Sequence, residues 1–308
     1  MKSFCEFLLQ RSPRVFEFAD LRSTYIAICI FNNFLSYTAI MLNIVTICAI
    51  RKSSSLPKTL TTLLLSLAVS DLGVGLLGQP LYTSLLIKWL QQEDPGCNIH
   101  LTYAITVSMF SLASFLSIVA VSVDRFLAIH LHLRYQERVT HKRVVIVMIS
   151  IWLFSILFPC LALWVSRDIL LPIEFSVGGF CLLLTTVAYI RIYLAVRRHR
   201  NDIQAQQVQD VAEGREMANF SSLVKSTVGL FYVYLVLLIC YLPYFVGLAA
   251  IELNGPTVPL KRFSLFSWTL VYLNSSLNPV IYCWKMRHIR QAIMDILRNI
   301  RCFRNSSS

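Results

Sequence analysis

Apolar residues gather along the chain into seven runs, roughly 25–50, 60–87, 98–123, 144–165, 172–196, 226–251 and 263–284, parted by short polar stretches. Each run is long enough to cross the hydrocarbon of a bilayer, which takes about 20 apolar residues in a helix. The first, fourth, sixth and seventh hold no Asp, Glu, Lys or Arg. The second holds Asp71 alone, the third stops just before Asp124 and Arg125, and the fifth carries Glu174 and Arg191 near opposite ends. Lipid offers the backbone no hydrogen-bonding partner, so spans this apolar are predicted to be helices. The expected fold class is an all-α membrane protein. An extracellular N-terminus (1–24) precedes a seven-transmembrane helix bundle (25–284), and a cytosolic segment (285–308) follows it.

The longest polar stretch, about 197–225, has no proline and one glycine, and is predicted to prolong the fifth and sixth helices beyond the membrane. From Lys285 to Arg301, Ile, Met and Leu alternate with Arg and Lys at helical spacing. That is the pattern of a short amphipathic eighth helix lying on the inner leaflet. Cys302 at its end is either a palmitoylation site or a free cytosolic thiol.

Composition excludes a soluble domain, since 56% of residues are apolar and 14% charged. The net charge of +12 would suggest nucleic acid in a soluble protein; here its distribution reads as topology. Segments 51–58, 134–143, 197–225 and 285–304 hold 18 Lys and Arg, against four in 88–97, 167–171 and 252–262. By the positive-inside bias the first set is cytosolic and the N-terminus lies outside, as in a multi-pass plasma-membrane protein with lipid, and no nucleic acid, as its partner. Charges scattered from Lys2 to Arg22 leave no apolar stretch for a cleavable signal, so the first span is expected to direct its own insertion. The nine cysteines form no CxxC pair, and neither a zinc module nor a disulfide framework is indicated.

Polar groups inside a membrane mark functional candidates. They are Asn43, Asp71, Ser114, Asn274, Ser275 and Asn278. Asn274 and Asn278 share one helix face, and Pro279 frees a backbone carbonyl beside them. Two readings stand: a small-cation or water pocket, made of the oxygen ligands that hard cations prefer, or hydrogen-bonding glue between helices. Asp124 beside Arg125 is a self-neutralising pair at the cytosolic boundary. The arginine either reaches a partner or merely snorkels.

Taken in order, Asn43, the LAVSD run ending at Asp71, Asp124-Arg125-Phe126, Trp152, Tyr189, Cys240-Tyr241-Leu242-Pro243 and Asn278-Pro279-Val280-Ile281-Tyr282 resemble a rhodopsin-like (class A) G protein-coupled receptor over nearly the whole chain. The resemblance implies transduction of an extracellular ligand to a heterotrimeric G protein. It implies an allosteric sodium ion at Asp71, Ser114, Asn274, Ser275 and Asn278. It also implies coupling and activation through Asp124, Arg125, Leu133, Tyr189, Pro243, Asn278, Pro279 and Tyr282. Leu133 matches the residue that enters a pocket on the G protein, and Pro243 the pivot of the sixth helix. The segments IHLHLRYQERVTHKR and YIRIYLAVRRH are most similar to adenosine and melanocortin receptors.

Departures from the pattern matter too. Tyr241 replaces the usual toggle tryptophan, and Cys181, Phe115 and Leu237 replace other core-switch residues, which allows a constitutively active or decoy receptor. His100 takes the place of the usual third-helix cysteine, with Cys97 three residues earlier; pairing of Cys97 with Cys5 is the substitute. Val107 stands where amine receptors hold an aspartate, and Tyr272 where opsins hold the retinal lysine. What remains is an apolar and aromatic pocket of Tyr103, Val107, Tyr241, Tyr244, Phe245, Leu248 and Tyr272, with Glu252 near its mouth, for an unidentified small-molecule or peptide ligand. Interhelical packing accounts for the same aromatics equally well.

An intramembrane enzyme would need a nucleophile and base or metal ligands within the spans, and of six histidines only His100 is near one; no catalytic residue is assigned. An ion-coupled small-molecule transporter could use Asp71, but would carry internal repeats, and none is visible.

Overall fold

Every apolar run folds as a helix in the computed structural model, which describes residues 17–53, 56–131, 134–205 and 211–306. The helices are α1 (Phe18–Lys52), α2 (Lys58–Gly73), α3 (Gln79–Leu90), α4 (Gly96–Leu131), α5 (Tyr135–Arg138), α6 (His141–Leu161), α7 (Arg167–Ala205), α8 (Val211–Asn254), α9 (Val258–Lys285) and α10 (Arg287–Ser306). A π turn, Val74–Gly78, joins α2 and α3 into one rod. Seven rods therefore make the bundle, with α4 packed against α2, α6, α7 and α8, and no strand occurs among the described residues. Large apolar side chains such as Ile30, Phe34, Leu157, Phe180 and Leu183 face outward, as a lipid-facing surface requires.

Six rods are long and apolar enough to cross a membrane. The exception, α9, is diluted by Asn274, Ser275, Ser276 and Asn278, all of which are buried within the protein. The chain is thus a multi-pass all-α membrane protein, with the polar residues of α9 turned inward. Both α7 and α8 run far beyond a bilayer's width, at 39 and 44 residues, as the proline-free loop predicts. After α9, Met286 at the junction and Ile289 and Ala292 of α10 pack into the core; the side chain of Cys302 lies outside the described residues.

Two local features position the site, and the hydrophobic pattern foretold neither. The first is the π turn. Pro80 has no N–H to give the preceding turn and its ring crowds it, and the wider turn relieves both faults. Gly75 then lets α1 come close, because a Cβ there would stand 3.1 Å from Ile40 Cγ1 and 3.3 Å from the Ser36 carbonyl. Side chains of α1 satisfy the loosened backbone. Ser36 Oγ donates to the Gly75 carbonyl (2.8 Å), and Asn32 Nδ2 to the Gln79 carbonyl (3.0 Å) and Thr83 Oγ1 (2.8 Å). Gln79 Nε2 donates back to Asn32 Oδ1 at 3.1 Å.

The second feature is at the start of α1, which begins at Phe18, inside the segment 1–24 expected to precede the first span. Lys261 Nζ donates to Glu17 Oε2 at 2.6 Å and Arg262 Nη2 to the Asp20 carbonyl at 2.6 Å, tying the start of α1 to α9. Cys97 is disulfide-bonded, and the proposed partner Cys5 lies outside the described residues.

Candidate functional site

A cavity of about 140 Å³ opens among α4, α6, α7, α8 and α9. From α4 come Ala104, Ser108, Ser111, Leu112 and Phe115, one helix face at spacings of three and four. Phe154 and Phe158 of α6, Glu174 of α7, Tyr241, Tyr244 and Phe245 of α8, and Trp268 of α9 also line it. Of the seven residues expected in a ligand pocket, Tyr241, Tyr244 and Phe245 are therefore present.

Tyr103, Val107, Leu248 and Tyr272 do not line this cavity. Tyr103 and Val107 each lie one residue, about 100° around the helix, from the lining positions Ala104 and Ser108. They join Tyr82 and Tyr272 in a packed cluster, where the Tyr103 and Tyr272 hydroxyls hydrogen-bond at 2.7 Å. Val107 and Tyr272 are fully buried there, and Leu248 is buried as well. Sequence reasoning missed Ser108, Ser111, Phe154, Phe158, Trp268 and Glu174. The signal for Glu174 was present, because a carboxylate inside an apolar span is a functional candidate by default.

Tyr241 and Phe115 form the floor, with rings 5.6 Å apart. The Tyr241 hydroxyl donates to the Ser111 carbonyl at 3.2 Å, binding α8 to α4. Two residues further along α8 stands Pro243, whose missing N–H weakens the helix at that point.

Deeper in the bundle, α2, α4 and α9 bring Asp71, Ser114, Asn274, Ser275 and Asn278 together, each at most 2% exposed. Ser114 Oγ donates to Asp71 Oδ1 at 2.9 Å and Asn278 Nδ2 to Asp71 Oδ2 at 2.8 Å. Asn43 Nδ2 donates to the Ser275 carbonyl at 2.9 Å. Several buried atoms have no partner: Asn43 Oδ1, both side-chain polar atoms of Asn274, Asn278 Oδ1 and the Tyr282 hydroxyl. A carboxylate surrounded by unpartnered amide and hydroxyl oxygens is a donor set that fits a hard cation or ordered water. Pro279 lies in the same rod.

Towards the C-terminal end of α4, Arg125 and Asp124 are 3% and 5% exposed. Arg125 donates to Asp124 Oδ2 through both Nε, at 3.0 Å, and Nη2. The Tyr135 hydroxyl of α5 donates to Asp124 Oδ1 at 2.6 Å and lies 3.3 Å from Thr59 Oγ1. Burial, then the adjacent Asp124 charge, push the Tyr135 phenol up to about 12, so it keeps its proton and remains a donor. Arg125 is thus turned inward onto its neighbour. Tyr189 is buried, accepts from Ser122 Oγ at 3.3 Å and stacks on Tyr234 at 5.2 Å between ring centres. Leu133 lies outside the described residues.

Residues 42–168 and 158–282 match the profile of the 7 transmembrane receptor (rhodopsin family). The chain belongs to that family. The receptor is 28% identical to the histamine H2 receptor of Cavia porcellus over 274 residues, covering 81% of this chain and 73% of the relative. It is equally 28% identical to that of Homo sapiens over 283 residues, covering 82% and 74%. The crystal structure of squid rhodopsin has the same fold, with a TM-score of 0.77 at 19% identity over 91% of this chain and 87% of that one. These relatives are histamine receptors, and beside them the likeness of the loop motifs to adenosine and melanocortin receptors is minor. The chain is a G protein-coupled receptor, which sets aside the transporter reading.

Proposed function

We propose that the receptor binds a small, largely aromatic ligand in the outer cavity and relays its presence through Tyr241, Pro243 and the Asp71 cluster to a heterotrimeric G protein at Arg125. The observation that carries this reading is the continuity of buried contacts along α4. The cavity floor at Ser111 and Phe115 flanks Ser114, which holds Asp71, and the same rod ends in the Asp124–Arg125 pair. The N-terminus is extracellular and the chain sits in the plasma membrane, a reading supported by the Lys and Arg excess in the opposite set of loops.

The cavity of about 140 Å³ is smaller than the roughly 300–1,000 Å³ of sites for drug-sized ligands. A peptide could enter only by its tip. Histamine, named for the relatives, is of the size that fits.

In this reading the inward-turned Arg125 is the resting state. Ligand contact with Tyr241 loosens its bond to α4, α8 pivots near Pro243, and Arg125 leaves Asp124 for the G protein. Tyr189 and Tyr282 then move to hold the opened cleft, and Asn278 and Pro279 give α9 the play to follow. Asp71, Ser114, Asn274, Ser275 and Asn278 would hold a sodium ion, whose charge neutralises the buried carboxylate and favours the resting packing. No covalent chemistry is assigned to any residue.

Purified receptor in nanodiscs with a G protein tests this. Raising sodium at constant ionic strength should lower nucleotide exchange by the wild type and leave Asp71→Asn unaffected. Equal sodium sensitivity in both would refute the cation site, and exchange no faster than that of G protein alone would refute the signalling role.

A further inference from the structure

We infer that the outer cavity selects a small organic cation bearing a ring hydroxyl, an arylalkylamine, with the ammonium held by Glu174 of α7 and the hydroxyl by Ser111 of α4. The inference rests on the ligand site proposed above and names the chemistry it takes.

Two observations, on two of the rods that line the cavity, carry it. Glu174 is the charged side chain among the described residues that line the cavity, seven residues into α7 and so about 10 Å along the rod. A carboxylate beside an apolar, membrane-embedded cavity is costly unless a cation or hydrogen-bond donors meet it. Glu174 already makes an interaction within the receptor, so an arriving ligand exchanges one partner for another rather than filling a void. On α4, Ser111 is 8% exposed and its hydroxyl has no hydrogen-bond partner. A buried hydroxyl left unpaired costs roughly 1–3 kcal/mol, and a ligand hydroxyl reaching it would recover part of that.

The lining also includes the aromatic side chains of Phe154, Phe158, Tyr244, Phe245 and Trp268. Ring faces are electron-rich, so they attract cations and repel anions. The carboxylate and the aromatic walls thus select the same sign of charge, while the rings also stack on the body of an aromatic ligand. The absence of an acid at Val107 does not weaken this, because Val107 packs against Tyr82 and Tyr272 and does not line the cavity. The cation is held from α7 instead of α4.

The test uses purified full-length receptor in nanodiscs, without G protein, and reads thermal stabilisation by three probes. Tyramine carries both the ammonium and the ring hydroxyl, 2-phenylethylamine only the ammonium, and tyrosol only the hydroxyl. Tyramine should stabilise the wild type at concentrations at least tenfold below those of either analogue. Glu174→Gln should raise the tyramine concentration needed by tenfold or more, and Glu174→Asp, which keeps the charge, should retain most of the effect. Ser111→Ala should make tyramine no better than 2-phenylethylamine. The inference is overturned if tyrosol matches tyramine, if Glu174→Gln responds as the wild type does, or if neither amine stabilises at millimolar concentration. Sodium-sensitive nucleotide exchange persisting in that last case would leave the receptor reading standing while this one fails.

Discussion

Replacing Tyr241 by Phe isolates one hydrogen bond between the ligand cavity and the moving helix. The change deletes the hydroxyl that donates to the Ser111 carbonyl at 3.2 Å and keeps the ring that packs 5.6 Å from Phe115. That carbonyl belongs to the interior of α4 and keeps its helical partner, so the substitution strands no buried group. Interhelical hydrogen bonds within membrane proteins are worth about 0.6 kcal/mol on average and up to about 1.7. If this one exists in the resting packing and is absent from the active one, the equilibrium shifts by its whole value. With about 1.4 kcal/mol per factor of ten, the minor active population should rise between about threefold and about twentyfold. Ligand-free nucleotide exchange by reconstituted receptor should rise by the same factor until that population ceases to be minor. Thermal stability, measured alongside, should change by no more than this bond is worth. A basal rate equal to or below that of the wild type, in protein that melts normally, would refute the role given to this bond.

Two further substitutions examine the frame around the site. Asn32→Ala removes the donors to the Gln79 carbonyl and Thr83 and the acceptor for Gln79 Nε2, leaving a fully buried amide short of partners; a loss of about 1–3 kcal/mol should lower the melting temperature by several degrees, and an unchanged melt would show that the π turn needs no clamp. Lys261→Met leaves Glu17 without the ammonium 2.6 Å away in a pair that is 6% exposed on both sides. Breaking such a pair from one side costs about 3–5 kcal/mol, so the single variant should melt below the double variant Glu17→Gln/Lys261→Met; the reverse order would mean that the pair contributes nothing.

The seven rods were legible because lipid imposes a simple rule: a run without charges must be a helix long enough to cross. The rule was weakest at α9, where Asn274, Ser275 and Asn278 dilute the apolar run, and those residues gather around Asp71. The cavity was harder to foresee. Whether Tyr103 or Ala104 faces it depends on about 100° of rotation about α4, which packing against α3 and α9 sets and hydrophobicity along the run does not. Tyr103, Val107 and Tyr272 were natural candidates as aromatic or family-marked positions, yet their faces turn to one another. Neither the α1 clamp on the π turn nor the Glu17–Lys261 tie follows from periodicity, since both are contacts between residues at least 39 positions apart.

Arg125, held by Asp124 in this structure, is the group proposed to reach the G protein. Nucleotide exchange by purified receptor, G protein and nanodisc lipid alone, with wild type compared to Arg125→Ala at matched thermal stability, examines it most directly. The wild type should accelerate exchange above the G protein's own rate and Arg125→Ala should fall back to that rate. Exchange by Arg125→Ala as fast as by the wild type would contradict the account.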